Sequence, residues 1–178
     1  AIYYKNGSTP TTDQVAAPAG VAANAKLENL KPISAQDHIL GDPKALIKIV
    51  EFSDLECPFC KDFHKTMLKV MQEYGSQGQV AWIYRHFPLD QLHSKARKEA
   101  EAAECVGELG GNDKFWAFID KIFEITPSNN GLDLAELPKI AVNLGINKTQ
   151  FETCFNGNKY TKKVQDAVEN VIASGGTG

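Results

Sequence analysis

The sequence lacks the features that mark membrane-spanning, nucleic-acid-binding and small disulfide-rich proteins. None of its apolar runs approaches the ~20 residues that a membrane-spanning helix needs. Its net charge is −3 with both signs interspersed, so no basic face is available to follow phosphates. Four cysteines are few for 178 residues, a length that can bury a hydrophobic core without disulfide staples. The composition predicts a soluble globular domain without a nucleic-acid partner.

The N-terminal segment has neither an initiator methionine nor a sustained apolar period. Residues 5–25 are rich in threonine, alanine, proline, glycine and asparagine. This composition is typical of a flexible tether, which we predict for residues 1–30. A signal peptide or membrane anchor removed upstream would explain the missing methionine. The alternative is an artificial boundary before a disordered tail, and in both cases the folded domain is expected over residues 31–178.

The hydropathy pattern predicts a strand–helix–strand unit within residues 31–90. Residues 46–52 form a nearly continuous apolar run with β-branched side chains, typical of a strand buried on both faces. Apolar residues at helical spacing follow over residues 58–74, and residues 79–85 form a second apolar strand. The stretch 37–43 before the first strand is predicted to be turns. This order is typical of a βαβ unit.

The rest of the chain, residues 91–178, predicts a block of helices. Its apolar residues recur at helical spacing between capping residues and glycine stops. The predicted helices cover residues 94–109, 113–125, 133–144, 151–155 and 159–174, with Asn112, Asp133 and Asn147 as caps. The predicted fold class is therefore α/β, a βαβ unit joined to a helical block.

Two cysteines, Cys57 and Cys60, stand three residues apart where the first predicted helix begins. Unpaired backbone N–H groups and the positive end of the helix dipole stabilise a thiolate there, so the pKa of the first cysteine should fall. The spacing brings the two sulfurs within bonding distance and leaves the first one outward. We therefore predict Cys57 as the nucleophile and Cys60 as the resolving thiol. Pro58 suits the first helical turn, and with Phe59 it shapes the surface without adding positive charge.

Two further residues are candidates for supporting this pair. Glu51 lies on the buried strand that enters the site, where it could accept a proton from Cys60 or be a paired structural glutamate. His64 follows Cys57 by seven residues on the same helix face. It could tune the thiolate or be a polar residue at the helix edge.

The remaining cysteines and the end of the second strand each leave two interpretations open. Cys105 and Cys154 could form a structural disulfide within the helical block or be two small buried apolar residues. Arg85 and His86 could line the site or pair with Asp90 or Glu99. The cysteine spacings do not supply the four ligands of a zinc site, so we predict no metal and no bound cofactor.

Several of these segments together resemble the DsbA-like branch of the thioredoxin superfamily. They are Glu51-Phe-Ser-Asp, Cys57-Pro-Phe-Cys60, the segment from Tyr84 to Leu89 (Tyr-Arg-His-Phe-Pro-Leu) with His93 and Ala96, and Asp113-Lys-Phe-Trp116. The resemblance runs from about Asp37 to the C-terminus. It implies a thioredoxin fold with an inserted helical block, and Cys57 and Cys60 as its reactive pair.

The resemblance also implies a function outside the cytoplasm. The expected activity is disulfide exchange with exported proteins that carry free thiols, in the periplasm or at the outer face of the cytoplasmic membrane, with a membrane redox partner. The disulfide donor (oxidase) direction is favoured. The alternatives are a reductase or isomerase, and a non-catalytic binding or chaperone module.

In one respect the sequence departs from that branch. Its members carry a cis-proline loop, two more strands and a last helix after the helical block, whereas this sequence ends at Gly178. We therefore expect either a truncated chain or a dimer or domain swap that fills the gap.

Overall fold

The computed structural model describes residues 2–6 and 27–177. Four strands form one sheet in the order β1-β3-β4-β2. The described part of the chain has six α-helices, one between the last two strands and five after them. The strands are β1 (Ile2–Asn6), β2 (His38–Gly41), β3 (Ile47–Ser53) and β4 (Val80–His86). The helices are α1 (Pro58–Val70), α2 (Ala96–Gly110), α3 (Asn112–Ile125), α4 (Glu136–Asn143), α5 (Lys148–Asn156) and α6 (Thr161–Ala173).

The predicted βαβ unit is confirmed as β3, α1 and β4. The two strands pair in parallel, with Glu51 opposite Tyr84 and Ser53 opposite His86. A parallel pair needs a crossover between its strands, and α1 with its last turn Met71–Gly75 provides it. Both strands therefore end at the same edge of the sheet, where the chain enters α1.

The sheet is covered on both faces, because the side chains of β4 alternate between two clusters. Trp82 and Tyr84 point into the larger cluster, which they share with α1 to α5. Ala81 and Ile83 point into the smaller cluster, which includes Val171 of α6. This two-sided burial explains the continuous apolar runs of β3 and β4.

Two strands were not predicted, and both are corrections. Residues 37–43 were predicted to be turns, but β2 pairs antiparallel with β4. The first residues of the predicted tether over 1–30 form β1, which pairs antiparallel with β3. Each is short and lies at an edge of the sheet, so its stability comes from the partner strand more than from its own pattern. The tether over residues 7–26 lies outside the described residues.

Cap residues show where local sequence decides a boundary. Asn147 was predicted as a cap, and its side chain accepts a hydrogen bond from the backbone N–H of Gln150 at 3.1 Å. Asn112 was predicted as a cap but lies inside α3, where its side chain hydrogen-bonds both backbone groups of Ile39 on β2. Asn112 therefore holds the edge strand against the helical block. Asp133 was also predicted as a cap, but α4 begins only at Glu136.

No helix within residues 2–6 and 27–177 combines the length and the apolar character that crossing a bilayer requires.

Candidate functional site around Cys57 and Cys60

Cys57 is the residue at which the turn after β3 becomes α1. Its backbone N–H donates to the carbonyl of Asp54 at 3.2 Å, and its own carbonyl accepts from Lys61 at 3.0 Å. Pro58 occupies the first turn of the helix, where a backbone N–H is not needed. Phe59 is 83% exposed, so a large apolar ring stands in solvent beside the sulfurs. Cys57 itself is half-buried and is a free thiol, as is Cys60.

The two sulfurs have opposite acid–base properties. The Cys60 thiol donates a hydrogen bond to Cys57, and this bond lowers the pKa of Cys57 to about 6. The backbone N–H groups of Cys60 and Phe59 lower that pKa further, against the effect of burial. The same hydrogen bond, together with deeper burial, raises the pKa of Cys60. At neutral pH the pair therefore consists of a thiolate at Cys57 and a thiol at Cys60.

Asp54 ties the turn before Cys57 to the loop that follows β4. Its carboxylate is 2% exposed and accepts hydrogen bonds from the backbone N–H of Glu56 at 2.8 Å and of Leu89 at 2.7 Å. The ring nitrogen Nδ1 of His93 lies 2.9 Å from the same carboxylate. These contacts fix the turn that presents Cys57 against the loop that follows β4. They also leave a negative charge close to the reactive sulfur, which raises the pKa of Cys57.

Glu56, directly before Cys57, joins this turn to the loop between α3 and α4. Its carboxylate accepts from the backbone N–H of Gly131 at 3.1 Å, the N–H of Leu132 at 3.3 Å and the hydroxyl of Thr126 at 3.4 Å. Its backbone carbonyl accepts from the N–H of Asn129 at 2.8 Å. The helical block is therefore anchored to the turn that carries the reactive cysteine.

That loop contains a run of unusual backbone conformation. Ser128, Asn129 and Asn130 have φ values of 66°, 53° and 66°, in the left-handed region that non-glycine residues rarely adopt. Asparagine tolerates this region better than most residues. Backbone strain of this kind persists where surrounding contacts impose it, and here the contacts of Glu56 impose it.

Glu51 lies under the site on β3 and is 2% exposed. Burial raises the pKa of Glu51, so its carboxyl group holds a proton to a higher pH than an exposed glutamate does. The carboxyl accepts a hydrogen bond from the indole N–H of Trp82 at 2.8 Å. A structural partner for Glu51 is thus present, and its role as proton acceptor for Cys60 stays a prediction.

His64 does not lie at the helix edge, so that prediction is wrong. It is 2% exposed and packs against the rings of Trp82 and Phe123, with centroids 5.1 and 4.6 Å away. Its Nε2 lies 2.7 Å from the Asp120 carboxylate of α3. The helix turns this face inward because α3 packs over α1. His64 therefore faces the core.

The remaining candidates have partners other than the two sulfurs. Cys105 and Cys154 form a disulfide with Cα atoms 5.9 Å apart, which joins α2 to α5. Arg85 pairs with Asp37 at 2.7 Å. Nε2 of His86 lies 3.4 Å from the Glu104 carboxylate. Neither strand-end residue pairs with Asp90 or Glu99, because the segment before β2 and helix α2 bring other carboxylates to them.

Within residues 2–6 and 27–177, no group of three or more histidine, cysteine, aspartate or glutamate side chains has the geometry to hold a metal ion.

The polar groups behind Cys57 are not predicted by the sequence pattern. Asp54 and His93 lie in the motif segments without a predicted role, and Glu56 has no predicted role either. A signal was present at Glu56, since a charged residue next to a half-buried nucleophile needs partners. The Asn-Asn-Gly run at residues 129–131 also indicates left-handed backbone. That these two features meet could not be predicted from either one alone.

Comparisons with known proteins give matches over most of this domain. The thioredoxin family model matches residues 34–176. The chain is 29% identical over 150 residues, 83% of its length, to the Na(+)/H(+) antiporter NhaA 1 of Mycolicibacterium gilvum. The match spans only 23% of the length of that curated relative. Over 89 residues, 48% of this chain and 38% of the other, it is 32% identical to the probable disulfide bond formation protein D of Bacillus cereus.

A solved structure resembles the fold as well as the sequence. The crystal structure of Pseudomonas aeruginosa DsbA2 superposes with a TM-score of 0.66 at 30% sequence identity. The match covers 83% of this chain and 79% of that one.

Proposed function

Because this chain belongs to the thioredoxin family and to its DsbA-like branch, we propose that it is a thiol–disulfide oxidoreductase acting through Cys57 and Cys60. The observation that carries the proposal is the lowered pKa of Cys57, about 6, beside a protonated Cys60. A thiolate is the nucleophile in disulfide exchange, and a thiol of low pKa is also the better leaving group. The likeness to DsbA2 and to the disulfide bond formation protein supports the same activity.

In the oxidising direction, the pair begins as a Cys57–Cys60 disulfide. A substrate thiolate attacks Sγ of Cys57, a mixed disulfide forms, and Cys60 leaves with the electron pair and takes up a proton. A second substrate thiolate then attacks the substrate sulfur of the mixed disulfide. Cys57 leaves as a thiolate, and the substrate has lost two electrons and two protons as it gains its disulfide. The half-buried Cys57 is the sulfur open to attack, and Cys60 lies deeper.

The direction we favour is oxidation of the substrate. Every interaction that stabilises the Cys57 thiolate stabilises the reduced pair, and a protein whose reduced form is stable gives its disulfide away readily. The contacts from Cys60 and from the backbone of Phe59 act in this sense. A reductase or isomerase is the second candidate, and a non-catalytic binding or chaperone module is the third.

The substrates we propose are exported proteins with free thiols, and the reoxidant is a membrane redox partner. The location we propose is the periplasm or the outer face of the cytoplasmic membrane. The Cys105–Cys154 disulfide supports an oxidising compartment, because structural disulfides are rare in the cytosol. The Na(+)/H(+) antiporter match spans only 23% of that protein, so its transport activity is not carried over to this chain.

Two measurements on the intact protein test the proposal. The rate of alkylation of Cys57 by iodoacetamide should show an inflection near its pKa of about 6. Equilibration with reduced and oxidised glutathione should give a potential well above that of thioredoxin, about −270 mV. A potential near that of thioredoxin would exclude the oxidase in favour of a reductase. Equal, slow alkylation of both thiols would exclude the enzyme and favour a binding module.

A further inference from the structure

His93 belongs neither to the Cys57–Cys60 motif nor to the start of α1, yet its position suggests a role at Cys57. The histidine comes from the loop after β4 and is 5% exposed. Its Nδ1 lies 2.9 Å from the Asp54 carboxylate, and its ring also hydrogen-bonds Asn129 of the loop over Glu56. We propose that His93 is a positioning residue for the Cys57 thiolate, because its imidazolium offsets the buried Asp54 charge behind that sulfur. This inference rests on the proposed role of Cys57 as the nucleophile.

The need for an offsetting charge comes from Asp54. This residue stands three positions before Cys57, and its backbone carbonyl accepts the Cys57 N–H. Its buried carboxylate acts on the sulfur by its charge, which raises the pKa of Cys57. Two negative charges in partly buried surroundings oppose each other's ionisation. The residues between the cysteines, Pro58 and Phe59, carry no charge that could compensate. A cation paired with Asp54 offsets this repulsion between the two negative charges.

Among the described residues, three other ionisable side chains near this turn do not provide that cation. The carboxylate of Glu56 is occupied by the loop of residues 126–132. Burial, and next the hydrogen bond with Glu56, raise the pKa of Glu99 to about 9, so Glu99 is a neutral acid at pH 7. Lys95 donates to the backbone carbonyl of Leu132 at 2.7 Å. His93 is the basic side chain that forms an ion pair with Asp54.

The acid–base behaviour of His93 agrees with this arrangement. Burial lowers the pKa of His93, but the hydrogen bond and the charge of Asp54 outweigh burial and raise it. The charge of Cys57 raises it further. Coupling between two titrating groups is reciprocal, so an imidazolium at His93 favours the Cys57 thiolate as much as the thiolate favours the imidazolium.

The first test uses the unaltered protein. The pKa of His93 is measured by NMR titration in the reduced form and in the form with a Cys57–Cys60 disulfide, which has no thiolate. We expect a higher His93 pKa in the reduced form. The same His93 pKa in both forms would overturn the inference.

The second test uses His93→Gln, which keeps a hydrogen-bonding group beside Asp54 but cannot carry a charge. The pKa of Cys57, followed by thiolate absorbance, should rise by about one unit, a tenfold change in its ionisation constant. At pH 7 the equilibrium with glutathione should then favour the reduced pair about fivefold less. The double variant Asp54→Asn/His93→Gln removes both charges and should return the pKa towards the original value. A Cys57 pKa unchanged in His93→Gln would overturn the inference.

The control is His38→Gln, which removes another histidine paired with a buried carboxylate, Glu104, at 3.0 Å. It should leave the Cys57 pKa unchanged. If His93→Gln does not fold, the NMR comparison on the unaltered protein still decides the question. An ordinary thiol pKa for Cys57 in the unaltered protein would defeat the proposed function itself. A low Cys57 pKa that is indifferent to His93 defeats only this inference.

Discussion

Glu99 of α2 hydrogen-bonds Glu56 although both carboxyl groups are completely buried. Within the described residues, neither oxygen of Glu99 has an N–H or O–H donor from another group. The hydrogen in this contact must therefore come from Glu99 itself, which agrees with its pKa of about 9. Glu56 in turn accepts from the loop of residues 126–132. The helical block and the turn before Cys57 are thus joined through a carboxylic acid that keeps its proton at neutral pH.

Replacing Glu99 with glutamine should change how stability depends on pH. A carboxyl whose pKa is raised on folding stabilises the fold below its unfolded pKa, about 4.3, and this contribution is lost as pH rises to about 9. Over that window Glu99 alone lowers the free energy of unfolding by roughly 1.4 kcal/mol per pH unit. Glu99→Gln should remove that decline, as urea unfolding at several pH values would measure.

The matched control for that experiment is Glu124→Gln. Glu124 is exposed and pairs with Lys121 at the surface, so its replacement should leave the slope of stability against pH unchanged. If Glu99→Gln and the parent protein lose stability in parallel between pH 5 and pH 9, Glu99 does not keep its proton at neutral pH.

Replacing Cys60 with serine should trap the first covalent intermediate. The Cys57 thiolate attacks glutathione disulfide and forms a mixed disulfide, but no second thiol remains to release it. Mass spectrometry should find one glutathione on Cys57 of the Cys60→Ser protein. The Cys57→Ser protein should carry none, because the thiol of Cys60 is deeper and its pKa is raised. Equal labelling of both variants would contradict the assigned roles.

Replacing Glu51 with glutamine should slow the resolving step if the carboxyl accepts the proton of Cys60. General base catalysis of this kind is worth at least about 100-fold, so release of glutathione from Cys57 should slow by about that factor. Stopped-flow measurement of glutathione release would show the change.

Trp82→Phe is the control for Glu51, because it removes the indole N–H that Glu51 accepts and leaves the carboxyl in place. Its rate of release should stay within a few-fold of the parent rate. If both variants slow the step equally, Glu51 has a structural role.

Removing the Cys105–Cys154 disulfide should destabilise the protein without affecting the reactive pair. The bond closes a loop of 49 residues, for which chain entropy predicts about 4 kcal/mol. Cys105→Ala/Cys154→Ala should therefore lower the free energy of unfolding by about 2–4 kcal/mol in urea titrations. The alkylation rate of Cys57 should not change. A free energy of unfolding equal to that of the parent would mean that the bond closes no entropically costly loop.

The parts that could be predicted from sequence are those fixed by local pattern. The βαβ unit followed from apolar runs, and the cap at Asn147 followed from its position before a helix. Strand β2 could not be predicted because its four residues gain their order from β4. The ion pair of Asp54 with His93 joins residues 39 positions apart, and no periodicity reports such a contact. The core position of His64 depends on α3, which lies more than forty residues further along the chain.

The disulfide between α2 and α5 has a consequence for how the protein matures. A newly made chain emerges with four thiols, and closing the bond between Cys105 and Cys154 requires an acceptor for two electrons. The newly made protein is therefore itself a substrate for the kind of thiol oxidation that we propose for Cys57 and Cys60.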